Sequence, residues 1–386
     1  MAHLRRTLAL LLTLCLLGGA CLLSAAAEET PALRFRGDGS FTILCFADTH
    51  QTAEEQPQMT AFLGEAIDSV RPDLVVFLGD NVYSSACENE ESERLGIRRI
   101  LTPLLERGQK FALVFGNHDP EYKLPGKTSA EIRKELMRLY QEIGGALCLA
   151  SDAAGLSTGA SNYNLPIYSK DASKVATNLW FFDTGSNQGK GGYDWVQKEQ
   201  VDWYKAGSAA LKAANGGQAV PSLSFQHIVV PEVYDNFFDL FGLRIPDFTK
   251  VRGYVIEPPA CATSGNDGQV AAMAEMGDVM AMVFGHDHVN SYTTVVRGVT
   301  LEQIPGTTFG GSYGTDALRG ATVFTLREDQ PGVYTRRSLF MRDLARQPGS
   351  KIGSNFRWEE IHYWLLYALE YPINALVNAF AGLFKS

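Results

Sequence analysis

Six histidines lie beyond His3, and five of them (His50, His118, His227, His286 and His288) stand just after apolar runs, whereas His362 does not. Asp48, Asp80 and Asn117 occupy the same kind of position. A lone histidine there is ordinarily a satisfied core or surface residue. Five together with two carboxylates and an amide make a nitrogen and oxygen donor set suited to zinc, iron or manganese. The set is larger than one catalytic zinc with an open position requires, so two metal ions are the natural count. The two oxygens of Asp80 can bridge two cations, and the neutral Asn117 oxygen completes a shell without adding negative charge. On an extended backbone, Asp48-Thr49-His50 and His286-Asp287-His288 would each point their outer pair the same way.

Positioning such a set takes several rigid elements that end at a common place. Apolar runs at 41–47, 74–78 and 111–115 read as buried strands, breaking off into Asp48-Thr49-His50, Gly79-Asp80-Asn81 and Gly116-Asn117-His118-Asp119. Runs at 179–182, 223–225 and 280–284 break off likewise into Asp183-Thr184-Gly185, Gln226-His227 and Gly285-His286-Asp287-His288. Met59, Phe62, Leu63, Ala66, Ile67 and Val70 recur at helical spacing until Pro72, and a second helix is predicted over 93–106, ending at Gly108. The first three strands then form a parallel sheet with the polar clusters at its carboxyl ends, where open α/β sheets hold their sites. More strands are predicted near 301–304, 321–326 and 333–340, the first two joined by the glycine-rich stretch 306–314. The fold class is α/β, a two-layered sheet core flanked by helices.

The ordered blocks D-x-H, G-D, G-N-H-D, a single His and G-H-x-H resemble the signature of the calcineurin-like metallophosphoesterase superfamily. They stand here as Asp48-Thr49-His50, Gly79-Asp80, Gly116-Asn117-His118-Asp119, His227 and Gly285-His286-Asp287-His288. Within the superfamily the chain is similar to the branch of purple acid phosphatase 29 and the Dcr2-type phosphatases. Gly79-Asp80-Asn81, Gln226-His227 with Pro231-Glu232, residues 285–290, and Phe182-Asp183-Thr184-Gly185 followed by Trp195 and Trp203 carry that likeness.

The resemblance implies a metallophosphoesterase-type layered β-sandwich flanked by helices, with the metal site at the carboxyl ends of the strands. It implies that Asp48, His50 and His288 hold one metal and Asn117, His227 and His286 a second, with Asp80 bridging. The ions would be divalent or trivalent iron, manganese or zinc. His118 is implied to be catalytic rather than a ligand, steadying the phosphoryl oxygens and protonating the leaving alkoxide. Asp119 and Glu121 are both candidates for the acid that orients it. The expected reaction is hydrolysis of a phosphomonoester, small-molecule or phosphoprotein, by a metal-bound water or hydroxide attacking phosphorus in line. The same centre would serve a phosphodiesterase or nucleotidase, because the surrounding loops choose what is attacked. A noncatalytic cell-surface binding protein would lack a ligand or His118, and the sequence lacks neither.

Other residues carry two readings each. Tyr83 stands three residues after Asp80, where purple acid phosphatases place a metal-binding tyrosinate, yet those enzymes usually lack a histidine at the His50 position. A packed or substrate-facing tyrosine is the alternative. The stretch 306–314 either brings backbone amides to a phosphate or simply turns the chain between strands. Tyr193, Trp195 and Trp203 either rim a substrate cleft or pack a helix on the sheet.

At its N-terminus the chain carries Arg5-Arg6, an apolar run over 8–17 and Ala25-Ala26-Ala27 before Glu28, the pattern of a cleaved export signal. Residues 1–27 hold two arginines and no acid, so their removal moves the net charge from −9 to −11. That balance disfavours nucleic-acid binding. An exported chain admits disulfides, but Cys45, Cys87, Cys148 and Cys261 show no framework or zinc spacing. The expected organisation is a signal peptide at 1–27, a catalytic domain at 28–345 and an amphipathic helical segment at 346–386. In that last segment Trp358, Tyr363, Trp364, Leu365 and Leu366 are the expected means of membrane association, although Glu370, Pro372, Asn374 and Asn378 make it too polar for a span.

Overall fold

In the computed structural model of the chain, residues 33–122, 124, 126–188, 192–262, 265–309 and 318–353 are described. The expected signal segment, the tail beyond Gly353 and residues 310–317 of the glycine-rich stretch lie outside them. In chain order the strands begin with β1 (Ser40–Phe46), β2 (Leu74–Leu78), β3 (Phe111–Val114), β4 (Tyr163–Tyr168) and β5 (Val175–Phe181). A short pair follows, β6 (Asn187–Gln188) and β7 (Gly192–Tyr193), then β8 (Ser222–Gln226), β9 (Phe237–Leu240), β10 (Leu243–Pro246) and β11 (Arg252–Tyr254). After these come β12 (Val279–Phe284), β13 (Ser291–Val296), β14 (Val299–Gln303), β15 (Gly320–Arg327) and β16 (Tyr334–Phe340).

Two larger sheets result, one ordered β16-β15-β1-β2-β3 and the other β11-β13-β14-β12-β8-β5-β4. In the first, β1, β2 and β3 are parallel, with Cys45 opposite Val76 and Val76 opposite Ala112, as the sequence predicts. In the second, β5, β8, β12 and β14 are parallel and the outer strands antiparallel. The two-residue period of the strands sorts their side chains into two cores. Leu179, Phe181, Leu223, Phe225, Ala281 and Val283 join the core shared with the first sheet. Their alternates Trp180, Phe182, Met282, Phe284 and Leu301 pack with Tyr204 and Met273 of the helices Lys198–Ala214 and Gln269–Met276. Tyr163 ties the two sheets, its hydroxyl donating to Leu113 O at 2.7 Å and its ring stacking on Phe181. The architecture is therefore a layered α/β fold with helices outside two sheets.

The helix Pro57–Val70 starts with Pro at its first turn and buries Met59, Phe62, Leu63, Ala66 and Ile67 along one stripe. The next helix runs Glu90–Leu105, beginning three residues before the predicted start. A reciprocal cap explains the difference: Ser92 N donates to Asn89 Oδ1 at 3.0 Å and Asn89 N to Ser92 Oγ at 3.1 Å. Thr128 and Glu131 form a second such cap on the helix Ser129–Gly144, whose Ile132, Leu136, Met137, Leu139 and Tyr140 recur at helical spacing along its buried face. The four cysteines are free, and Cys45 is core. Among the described residues no helix is long and apolar enough to cross a membrane.

Candidate metal centre

Five strands deliver the polar clusters to one place: β1, β2 and β3 from the first sheet, β8 and β12 from the second. Asp48, His50 and His288 offer ligand atoms that all lie within 4.8 Å of one another, and so do Asp80, His227 and His286. Asn117 Oδ1 lies 3.1 Å from His227 Nε2. Asp80 Oδ2 sits between the groups, 3.2 Å from His227 Nε2 and 3.6 Å from His50 Nε2. All seven residues singled out from the sequence are thus brought together, and all are buried.

The backbone reaches this arrangement differently from the extended geometry expected. Asp48 (φ 54°), His50 (φ 45°), Asp80 (φ 49°) and His286 (φ 72°) adopt left-handed conformations, each costing about 1–2 kcal/mol for a residue with a Cβ. Asp48 and His50 still share a cluster, but His286 and His288 fall into different ones. Cross-strand bonds hold the strained turns: Asp48 N to Gly79 O and His50 N to Asp80 O, each 3.0 Å. A Cβ on Gly79 would come within 2.6 Å of Gly116 N, so the G-D turn requires glycine for close approach.

Asp119 is the buried staple of these loops. Its carboxylate accepts from the backbone N–H groups of Asp80 (2.9 Å), Asn81 (3.0 Å), Val82 (3.3 Å) and Gly116 (2.7 Å). Burial and the Asp80 charge push its pKa up to about 6, while these donors hold the ionised form. Arg133 adds a second tie from the helix Ser129–Gly144, donating to Gly116 O at 2.9 Å, to Gly185 O and to Ser186 Oγ at 2.7 Å beside Asp183.

Donor chemistry fits cations in both clusters. Asp80 Oδ2 and His286 Nε2 are buried with no hydrogen-bond partner. His50 Nε2 and His288 Nε2 face each other at 3.2 Å, where two lone pairs repel unless a proton or cation stands between them. His227 Nδ1 donates to Leu78 O at 2.7 Å, which turns Nε2 toward Asp80. Burial lowers His50 to about 4 and His286 to about 3, so both are neutral and ligand-ready at neutral pH. Burial also opposes a proton on His227, yet Asp80 and Asp48 outweigh it and push the pKa up to about 9. A field that favours positive charge there favours a metal ion too.

His118 stands at the edge of the centre, half-exposed, its backbone N–H donating to Asp80 Oδ1 at 2.8 Å. Its Nδ1 lies 2.8 Å from Glu121 Oε2, which decides between the two acids left open by the sequence. Burial pulls the imidazole pKa down, but Glu121 and Asp80 outweigh it and the net shift is upward. Asn187 Nδ2 holds the other Glu121 oxygen at 3.2 Å. The Tyr83 ring lies 5.5 Å from His50 and 6.0 Å from His118. Tyr193 meets His286 edge-on at 4.4 Å, whereas Trp203 packs on Trp180 and Phe182 in the core. Trp195 donates from Nε1 to Asp267 Oδ2 at 3.0 Å. Gly306, at the start of the glycine-rich stretch, lies against the His288 backbone, which a Cβ would approach to 2.9 Å.

Sequence reasoning missed Arg133 and Asn187. Their only sequence signal is position, Arg133 inside an amphipathic helix and Asn187 after the Asp183-Thr184-Gly185 cluster, and neither marks them as partners of the site.

A layered α/β fold with two clusters of metal-ligand type at its strand ends defines a candidate dinuclear metal-binding class. The calcineurin-like phosphoesterase model matches residues 41–290, and the chain belongs to that family. An Arabidopsis thaliana protein named probable inactive purple acid phosphatase 14 is 30% identical over 337 residues, covering 79% of each chain. Phosphatase DCR2 of Saccharomyces cerevisiae is 25% identical over 250 residues, covering 63% of this chain and 40% of that one. The crystal structure of a dimetal phosphatase from Danio rerio has the same fold, with a TM-score of 0.51 at 13% identity, over 78% of this chain and 96% of that one.

Proposed function

We propose that the chain hydrolyses phosphomonoesters at a dinuclear metal centre, with His118 as general acid. Asp48, His50 and His288 would hold one ion and Asn117, His227 and His286 the other, with the Asp80 carboxylate available to both. The observation carrying this reading is the placement of Asp80: Oδ2 between the two clusters, 3.2 Å from His227 Nε2 and 3.6 Å from His50 Nε2, and Oδ1 fixing the backbone of His118. Two ions held there supply a Lewis-acid pair that activates water and offsets charge on the phosphoryl oxygens.

The remaining steps belong to the protein's own groups. Glu121 accepts from His118 Nδ1–H, which aims Nε2 and favours the protonated ring. His118 Nε2–H steadies a phosphoryl oxygen and then passes its proton to the leaving alkoxide. Asp119 and Arg133 keep the Asp80 and Asn117 turns in place. The relatives named as inactive carry that word for themselves; this chain retains all seven donors and His118.

The test is phosphate release from an aryl phosphate by purified full chain with added Mn²⁺, Zn²⁺ or Fe²⁺. Turnover that disappears in Asp80→Asn supports the reading, and no turnover with any metal would sink it. Faster cleavage of a bis-aryl than a mono-aryl phosphate would make the protein a diesterase instead. An exported location is part of the proposal and rests on the 1–27 pattern alone. A mature N-terminus far from Glu28 would remove it.

A further inference from the structure

The short β6–β7 pair touches both the acid and one of the metal-ligand clusters. Asn187 on β6 and Tyr193 on β7 stand directly opposite each other, so their side chains share one face. From that face Tyr193 meets the His286 ring edge-on at 4.4 Å, and Asn187 Nδ2 donates to Glu121 Oε1 at 3.2 Å. The other Glu121 oxygen lies 2.8 Å from His118 Nδ1. Asn187, Glu121 and His118 thus form one line of hydrogen bonds, although Asn187 and Glu121 are 66 positions apart in the chain. Other groups hold the two strands in place. Ser186 N donates to Asp194 Oδ2 and Gln188 Nε2 to Asp194 Oδ1, each at 2.8 Å, and Asp194 N donates back to Ser186 O at 3.0 Å. Arg133 adds its bond to Ser186 Oγ. The Asn187 amide, itself exposed, is therefore free to serve the site rather than the hairpin.

We infer that Asn187 is a positioning residue for the acid step: it fixes the Glu121 carboxylate, and Glu121 in turn aims the His118 ring. The inference rests on the phosphomonoesterase reading above. The Glu121 side chain is 32% exposed, and with one oxygen on the imidazole alone it could swing about that contact through its own torsions. A donor on the second oxygen removes that freedom. The donor is also neutral. A lysine or arginine in its place would compete with the imidazole for the carboxylate, whereas an amide holds Glu121 and leaves its charge to His118. His118 gives its Nε2 proton to the leaving oxygen and keeps Nδ1–H toward Glu121, so Asn187 governs where the ring points and not how many protons it carries.

The experiment compares the native full chain with Asn187→Ala and with Asn187→Asp, which keeps the shape and loses the donor. In both variants kcat on an alkyl phosphate falls roughly tenfold with KM little changed, and falls much less on an aryl phosphate, whose leaving group needs no proton. In a Glu121→Ala background Asn187→Ala costs nothing further, because its path to His118 is already gone. A second measurement needs neither metal nor turnover. In the metal-free chain, at a pH where the His118 ring is neutral, long-range ¹H–¹⁵N spectra find the Nδ1–H tautomer in the native protein and a mixture of both tautomers in Asn187→Ala. An unchanged tautomer in the variant, or equal losses on alkyl and aryl phosphates, would overturn the inference and leave the phosphomonoesterase reading standing. Absence of turnover by the native chain would sink that reading instead, and the tautomer would then decide by itself whether Asn187 positions the ring.

Discussion

At the strand ends Asp48 and Asp80 lie buried among four imidazoles, whereas at the β9–β10 hairpin Phe238, Leu240 and Phe241 stand in solvent. Burying a carboxylate is costly unless a cation or a set of donors compensates it, and exposing a phenyl ring forgoes the main driving force of folding. Folding alone favours neither arrangement. Asp119 supplies the contrast inside the same site, since four N–H donors compensate its burial without any ion. Buried polarity therefore comes in two kinds here, one complete within the chain and one that awaits cations.

Asp80→Asn is the strongest way to break that distinction. Activity should fall roughly 10³-fold, as for loss of a main electrostatic element. The melting temperature of the metal-free protein should fall, because burial opposes the Asp80 charge but His227 outweighs it and holds the carboxyl well below its usual range, so the substitution breaks a compensated buried pair. A rise in that temperature would mean that His227 leaves the Asp80 charge uncompensated when no ion is bound. His118→Ala should cost roughly 10²-fold on alkyl phosphates and much less on aryl phosphates, whose leaving group needs no proton. Equal losses on both would remove His118 from the acid role.

Chelation tests the centre without mutation. An ion held at a hundred times its dissociation constant adds about 2.7 kcal/mol, so stripping both should lower the melting temperature by several degrees. An unchanged melt would mean that the clusters hold no ion.

Glu93 offers the smallest and most local test. It is buried in the helix Glu90–Leu105 beside Ser84, whose hydroxyl donates at 3.1 Å, and burial pushes its pKa from 4.5 up to about 8. The folded state prefers the protonated acid, so its contribution is fully present below about 4.5 and is lost as pH rises through about 8. Glu93→Gln should melt like the native protein at pH ~5 and above it at pH ~9. No difference at the higher pH would show that Glu93 finds compensation in the fold.

The donor set, its order and the strands that carry it are legible in the sequence, because runs such as 74–78 end abruptly in Gly79-Asp80 and such breaks mark strand termini. The parallel order of β1 to β3 follows from the helix Pro57–Val70 between the first two. The helix Ser129–Gly144 carries a readable cap in Thr128 and Glu131 and an apolar stripe from Ile132 to Tyr140 at helical spacing, both legible in the sequence. Less is legible wherever two similar residues compete for one role. Asp119 and Glu121 are both acids near His118, and only the folded backbone, by placing four N–H groups around Asp119, leaves Glu121 to the imidazole. Tyr193 and Trp203 are both aromatics after the same cluster, and only packing sends one to His286 and the other to the core.

What the sequence by itself determined is the chemistry available: which atoms can bind cations, and at which strand ends they emerge. Periodicity and residue type are local properties, and those suffice for that much. What the tertiary structure alone decided is the choice of Glu121 over Asp119 beside His118, the left-handed turns at Asp48, His50 and Asp80, and the apolar face of the β9–β10 hairpin. Each depends on contacts between residues far apart in the chain, such as Asp48 with Gly79 and His227 with Leu78, which no local pattern encodes.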